Sequence, residues 1–168
     1  DAGGRDSGGA PDASADSATD ASVDAGTGTT VSFEVPKGGG TVDVSTNGVV
    51  VSFKFPTSAR GKNIELTPVD PDTVAFADPS FASKMSFAID MKPSGATFAD
   101  PIEVSFSDKS VVAFNIPDGG GLGAPLALST DGKAVLVSHF SLLAALRNSA
   151  LCDATGASSW ALPLPEPR

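Results

Sequence analysis

Apolar and polar side chains alternate with a period of two over much of the chain after Thr30. The first such segment is TVSFEVP, in which Val31, Phe33 and Val35 alternate with polar residues. Successive side chains of an extended strand point to opposite faces, so this pattern predicts a half-buried β-strand. The later segments that predict strands are TVDVS, VVVSFKF, NIELTPV, KMSFAIDM, IEVSFS, SVVAFNIP, APLALS and KAVLVSHF.

Turn-forming residues separate these segments. Asn47-Gly48 and Asp131-Gly132 are typical of tight turns, and KPSGATFADP is predicted to be a loop. SLLAALRNSA fits a helix or a strand about equally well, and it is the only helix-like stretch. Parallel strands need long helical crossovers, for which the chain has no room. The pattern therefore predicts an all-β fold, an antiparallel β-sandwich of about nine or ten short strands.

The hydrophobic pattern also predicts which side chains form the core. Large apolar residues on the inward face of the predicted strands should be buried between the two sheets. These residues are Phe33, Val51, Phe53, Phe87, Ile89, Val104, Phe106, Phe114 and Phe140.

Composition divides the chain into three parts. Residues 1–29 consist almost entirely of Asp, Ala, Gly, Ser and Thr, and are predicted to be a disordered tether because they cannot bury enough apolar surface to offset their ordering entropy. Residues 30–148 are predicted to form the sandwich. Residues 149–168 lose periodicity and are predicted to be a C-terminal tail, part of which packs back through Trp160.

Charge and cysteine content exclude several classes of function. The net charge is −9, and residues 1–30 carry six Asp against the single Arg5. No cluster of Lys and Arg is present, so we expect no nucleic-acid binding. No apolar run is long enough for a transmembrane helix. Cys152 is the only cysteine, so a cysteine-rich metal site and an internal disulfide are both excluded.

Several motifs, in their order, resemble the ZU-five family of β-sandwich domains, which has relatives among bacterial surface proteins. The motifs are GGGTVDVSTNGVVVSFKFPTSARGKNIELTPV, PSGATFADPIEVSF and KAVLVSHFS, and they cover roughly residues 31–146. One departure is the sequence LGAPLALS, which stands where the family often has a Trp before the penultimate strand. The resemblance implies a β-sandwich that binds a protein or another surface ligand.

The N-terminal segment resembles the leader that follows the lipidated cysteine in bacterial surface lipoproteins of myxobacterial type. The chain begins with Asp1 rather than Met, so we expect a signal peptide to have preceded it. These resemblances imply a non-enzymatic, exported module at the cell surface, outer membrane or periplasm. Its function would be adhesion, display or assembly, and it would contact the membrane only through an N-terminal lipid anchor. No cofactor is expected.

The sequence His139-Phe140-Ser141 is the one candidate for chemistry. In members of the broader family, and in GAIN domains of adhesion receptors, a similar His-X-Ser/Thr sequence cleaves itself before the third residue. In this chain Ser141 Oγ would attack the Phe140 carbonyl carbon, and His139 would accept or relay the proton. The C–N bond between Phe140 and Ser141 would break in an N-to-O acyl shift, and water would hydrolyse the resulting ester. The alternative is a packed structural corner, in which the chain bends near Ser138 and the bond stays intact. We expect the structural corner.

A calcium site on the loop after the fourth strand is a second alternative. Asp70, Asp72 and Asp78 lie on one irregular stretch, and three carboxylates with carbonyl oxygens could bind Ca²⁺. Acidic residues are also common in solvated turns, where they cap the backbone. We expect the solvated turn, and hence no metal site.

Overall fold

The computed structural model describes residues 21–23, 29–74, 84–118, 120 and 123–147. Two short 3-10 helices, Thr57–Ala59 and Pro71–Thr73, lie on either side of the fifth strand. The strands are β1 (Ala21–Val23), β2 (Val31–Glu34), β3 (Gly40–Thr46), β4 (Val49–Phe55), β5 (Asn63–Val69), β6 (Met85–Lys92), β7 (Thr97–Phe106), β8 (Val111–Ile116), β9 (Ala124–Pro125), β10 (Ala127–Leu128), β11 (Val135–His139) and β12 (Leu142–Arg147).

The strands form two sheets. The first sheet has the order β1-β3-β4-β7-β11-β10, and the second has the order β2-β5-β6-β12-β8-β9. Every strand pair is antiparallel except β1 with β3. The predicted all-β antiparallel sandwich is therefore confirmed. Twelve strands are described, against the expected nine or ten, because β1 is added and the predicted strand APLALS is divided into β9 and β10.

The β3–β4 hairpin follows the predicted pattern closely. In β4 the side chains of Val49, Val51, Phe53 and Phe55 are buried, and the residues between them face outward. The turn residue Asn47 has φ 49° and Gly48 has φ 76°. These two positive φ values characterise the turn that joins two twisted antiparallel strands most tightly, so the Asn-Gly prediction is confirmed.

The core lies between the two sheets and is built from their inward faces. Of the nine residues predicted to be buried, seven are. Phe33 is half-buried and its ring packs edge-on against Phe55, with ring centroids 5.2 Å apart. Phe114 is also only half-buried, because in β8 the alternate residues Ala113 and Asn115 are the ones that face the core. The predicted inward face of β8 is therefore wrong by one residue.

Three predicted boundaries differ from the structure. Strand β7 begins at Thr97, so the second half of the predicted loop KPSGATFADP is strand. The ambiguous segment SLLAALRNSA contains β12, which is a strand between β6 and β8. The predicted strand APLALS is divided, because β9 pairs with β8 in the second sheet and β10 pairs with β11 in the first.

Strand β1 lies within the predicted tether. Ala21, Ser22 and Val23 pair in parallel with β3, beside Val42, Asp43 and Val44. In place of an unpaired segment, these three residues therefore cover one edge of the first sheet. The rest of the predicted tether, residues 1–20 and 24–28, lies outside the described residues, as does the predicted tail after residue 148.

The β1 pairing is energetically marginal. A three-residue parallel ladder makes about two or three backbone hydrogen bonds, each worth about 0.5–1.5 kcal/mol net. Ordering three residues costs about 1–2 kcal/mol per residue. The gain of about 1–4.5 kcal/mol lies mostly below the cost of about 3–6 kcal/mol, so backbone pairing alone holds β1 only weakly.

Candidate functional site

Residues His139, Phe140 and Ser141, called the corner below, carry the chain from one sheet to the other. Strand β11 ends at His139 in the first sheet, and β12 begins at Leu142 in the second. The register shifts between Val137 and His139, whose partners in β7 are Ile102 and Thr97, so over this interval β7 has three more residues than β11. The ladder between the two strands is therefore interrupted at Ser138, near which the sequence predicts a bend.

The backbone of the corner is held by hydrogen bonds on both sides. Phe140 N–H donates to the Ala96 carbonyl at 2.8 Å, and the Phe140 carbonyl accepts from Gly95 N–H at 2.9 Å. The Ser141 carbonyl accepts from Met91 N–H at 3.1 Å. The loop between β6 and β7 and the end of β6 therefore fix the peptide groups on which any cleavage would act.

The Phe140 side chain anchors the corner in the core. Only 1% of its surface is exposed, and its ring centroid lies 4.7 Å from that of Phe98. Aromatic pairs at this separation stabilise a core beyond the area they bury. Because the two neighbours of Phe140 are polar, the ring is the apolar group that fixes the position of this crossing.

Asn115 joins the two polar residues of the corner. Its side-chain Nδ2 lies 2.5 Å from His139 Nε2, and its Oδ1 accepts a hydrogen bond from Ser141 Oγ at 2.5 Å. In this arrangement the Asn115 amide is the donor and Nε2 of His139 is the acceptor. Asn115 and Ser141 are 6% and 4% exposed, whereas His139 is exposed. The corner is thus bridged to β8 by one buried amide.

In this geometry the hydroxyl of Ser141, the nucleophile that cleavage would need, does not donate its hydrogen bond to a general base. Cleavage requires a group that accepts the Ser141 hydroxyl proton within hydrogen-bond distance. The Ser141 hydroxyl instead donates to an amide oxygen of Asn115, which is a poor base, and His139 Nε2 already accepts from the same amide. The Gly95 N–H on the Phe140 carbonyl is the one feature that would favour attack, since it would stabilise a developing oxyanion.

Asn115 is the site residue that the sequence prediction missed. The segment SVVAFNIP contains an almost unbroken apolar run, so its alternation does not define an inward face. The large aromatic Phe114 was the natural choice for the core, which placed Asn115 outside. In the structure Phe114 lies on the other face, where Gly123 approaches its Cβ closely, and a side chain on Gly123 would lie 3.3 Å from that atom.

The acidic loop after β5 uses its carboxylates locally. Asp70 Oδ1 accepts from Asp72 N–H at 3.0 Å and caps the 3-10 helix Pro71–Thr73. The Asp70 carbonyl also accepts from Thr73 Oγ1 at 2.7 Å. Asp78, the third predicted ligand, lies outside the described residues. Within the described ranges, no group of three or more His, Cys, Asp or Glu side chains could bind a metal ion.

Two residues singled out in the sequence lie outside the described part of the chain, whereas the prediction on transmembrane helices can be compared with the structure. Cys152 and Trp160 lie beyond the described residues, so the packing of the tail through Trp160 stays a prediction. In the part of the chain that the structure describes, no helix is long and apolar enough to cross a membrane.

Comparisons with known proteins add no further assignment. No family model matches the chain, and a search of curated proteins finds no relative. The fold and the corner therefore define the class, a β-sandwich module, and the ZU-five-like resemblance stays a prediction.

Proposed function

We propose that this protein is a non-enzymatic, exported surface module of ZU-five-like type, which serves adhesion, display or assembly. The observation that supports a non-enzymatic role is the bridge that the Asn115 side chain forms between His139 and Ser141. His139 and Ser141 are the only residues whose local sequence suggested catalysis, and both hydrogen-bond to one buried amide that ties the corner to β8. Such a bridge supports a structural role for both residues.

The export part of the proposal is supported by the composition of the N-terminal segment. Residues 1–30 contain no aromatic residue, Leu or Ile, and they carry six Asp. An anchored domain needs a soluble segment of this kind to separate it from the membrane surface. The anchor in this proposal is a lipid attached upstream of Asp1.

Protease treatment of intact host cells tests the location. We expect externally added protease to digest the protein without cell lysis, while a cytoplasmic control protein stays intact. Protection in intact cells and digestion in a lysate would contradict surface exposure. Metabolic labelling with a palmitate analogue tests the anchor separately, and a protein that is digested outside but unlabelled would contradict lipidation alone.

Self-processing between Phe140 and Ser141 is the second candidate function. It is favoured by one specific observation, the backbone N–H of Gly95 at 2.9 Å from the Phe140 carbonyl oxygen. For cleavage the side chain of Asn115 or His139 would have to reorient, so that His139 could accept the Ser141 proton. Because His139 and Ser141 both hydrogen-bond to Asn115 and not to each other, we place this function second.

A further inference from the structure

The outer strands of the two sheets are β1, β2, β9 and β10, and all four are short. Strands β9 and β10 have two residues each, and β2 has four. Strand β1 has three residues and pairs with the middle of the seven-residue strand β3, so it covers less than half of the outer edge of β3. Strand β3 pairs with β4 over all seven positions without a register shift. A long and regular edge of this kind is a template for a further strand.

Apart from the charge of Asp43, strand β3 lacks the features by which edges are usually protected. Its sequence GTVDVST contains no Pro or Lys, and its ladder with β4 has no bulge. Among the described residues, the segment that pairs with its outer edge is β1, which lies beside Val42–Val44 only. The pairing covers three of the seven residues, and its backbone hydrogen bonds hold β1 only weakly.

We propose that the β3 edge is a strand-addition site, at which an extended peptide segment of a partner protein displaces Ala21–Val23 and pairs with β3. Strand β1 shows that this edge accepts a parallel strand in register. A seven-residue partner strand would replace every backbone contact of β1 and would add contacts at both ends. Strand addition of this type derives its affinity from main-chain hydrogen bonds and its specificity from alternate side chains. The inference does not depend on where the protein is located.

The side chains of β3 define the chemistry of the partner. Val42 and Val44 face the core, so apolar β-branched residues beside them would extend the buried face. Asp43 lies between them on the outer face, where its Oδ1 accepts from Ser52 Oγ at 2.5 Å. Opposite charges on neighbouring strands attract, so a Lys or Arg beside Asp43 would be favoured over the neutral Ser22 that lies there now.

A second copy of this chain suits the edge less well than such a peptide. Symmetric pairing of two β3 strands centred on Asp43 would place two carboxylates directly opposite one another, which is destabilising. The acidic net charge of −9 also opposes self-association. The occupant is therefore a segment of apolar–cationic–apolar pattern from another protein.

Peptide binding to the full chain tests this proposal. The probe is the peptide Thr-Thr-Val-Lys-Val-Thr-Val, blocked at both ends, and the control peptide has Glu in place of Lys. The protein variant is Ser22→Pro, because proline removes a backbone donor and disfavours pairing of β1. The matched control is Ser14→Pro, which places the same substitution in the same segment outside β1. Amide NMR spectra report both the affinity and the residues contacted.

We expect the Lys peptide to bind Ser22→Pro about 2- to 10-fold more tightly than Ser14→Pro, since apparent affinity scales with the fraction of molecules whose edge is free. Shift changes should concentrate on β3, and the Glu peptide should bind more weakly. Absence of binding, equal affinity of the two variants, or shift changes away from β3 would overturn the proposal. Equal binding of the two peptides would overturn the cationic partner, and dimerisation of Ser22→Pro without peptide would assign the edge to a second copy instead.

Discussion

Asn115 is a buried amide, and burial of an amide is costly unless its donor and acceptor are both paired. Here its Nδ2 lies against His139 and its Oδ1 against Ser141. We expect Asn115→Ala to lower the free energy of unfolding by about 1–3 kcal/mol, because the buried Ser141 hydroxyl loses its acceptor. Urea denaturation measures this change. Asn63→Ala, at an exposed position of β5, is the matched control and should change stability by less than about 0.5 kcal/mol.

A double-mutant cycle separates the bridge from simple loss of packing. If Ser141 depends on Asn115, removing both partners should cost less than the sum of the single changes, with a coupling of about 0.5–3 kcal/mol. Additive costs for Asn115→Ala and Ser141→Ala would show that the hydrogen bond contributes little. Equal costs for Asn115→Ala and Asn63→Ala would contradict the structural role of the bridge altogether.

At the scale of single residues, the sequence identified His139 and Ser141 as candidate site residues, but it did not identify Asn115, which joins them. His139 and Ser141 were recognisable because His is unique in this chain and their spacing suggested a known chemistry. Asn115 comes from a strand far along the chain, and nothing in SVVAFNIP shows which of its faces is buried. Long-range pairing determines that face, as Asn115 lies opposite Leu143 in the β8–β12 ladder.

At the scale of elements, the turn between β2 and β3 depends on one glycine. Gly39 has φ +81°, and a Cβ added there would lie 2.6 Å from the Phe55 carbonyl oxygen. We expect Gly39→Ala to destabilise the protein by about 1–3 kcal/mol from backbone strain, with the close approach to Phe55 adding to that cost. Gly38→Ala is the control, because no heavy atom lies within 4 Å of its added Cβ. Thermal unfolding should separate the two variants, and equal melting temperatures would show that the turn relaxes.

The turn between β7 and β8 should make stability depend on pH. Hydrogen bonds from the Ser110 hydroxyl and backbone N–H hold the pKa of Asp108 below its ordinary value of 3.8, and Arg147 Nε, 3.4 Å away, lowers this pKa further. A lowered folded-state pKa stabilises the protein above the ordinary value, and this contribution is lost as the pH falls through the lowered pKa.

We therefore expect Asp108→Asn to be less stable than the wild type at pH 7. The difference should shrink as the pH falls below about 3.8. Urea denaturation across this range measures it, with Asp100→Asn as a control for the change in net charge at an exposed strand position. A difference that is independent of pH would argue against ionised Asp108 as the cause.

Elements were predictable where local chemistry determines them and unpredictable where long-range pairing does. The Asn47-Gly48 turn and the alternation of β4 are local, and both are confirmed. The start of β7 was misplaced because Pro93, Gly95 and Pro101 suggested a loop over the whole segment. Pro101 nevertheless lies inside β7, close to the bulged region of the β7–β11 ladder.

At the scale of the whole molecule, the sandwich could be predicted because strand periodicity and frequent turns leave few alternatives. The crossings between sheets could not. Strand β11 passes to β12 at the corner, and β9 passes to β10 at Leu126, so at both points the chain continues directly from one sheet into the other. A sequence pattern records which residues are apolar, but it does not record to which sheet an extended segment belongs.

As a structural link between the two sheets, the corner requires an uncut chain. A native measurement would not test this, because β12 is paired on both sides by β6 and β8 and would stay in place after cleavage. The sample must be denatured before its mass is determined.

Intact mass spectrometry of the denatured protein is therefore the most direct test. For the chain of residues 1–168 we predict one species of 16.7 kDa, and the Ser141→Ala variant should differ from it only by the mass of the lost hydroxyl oxygen. Two fragments, one of them beginning at Ser141 and both absent in Ser141→Ala, would contradict the structural corner and establish self-processing instead.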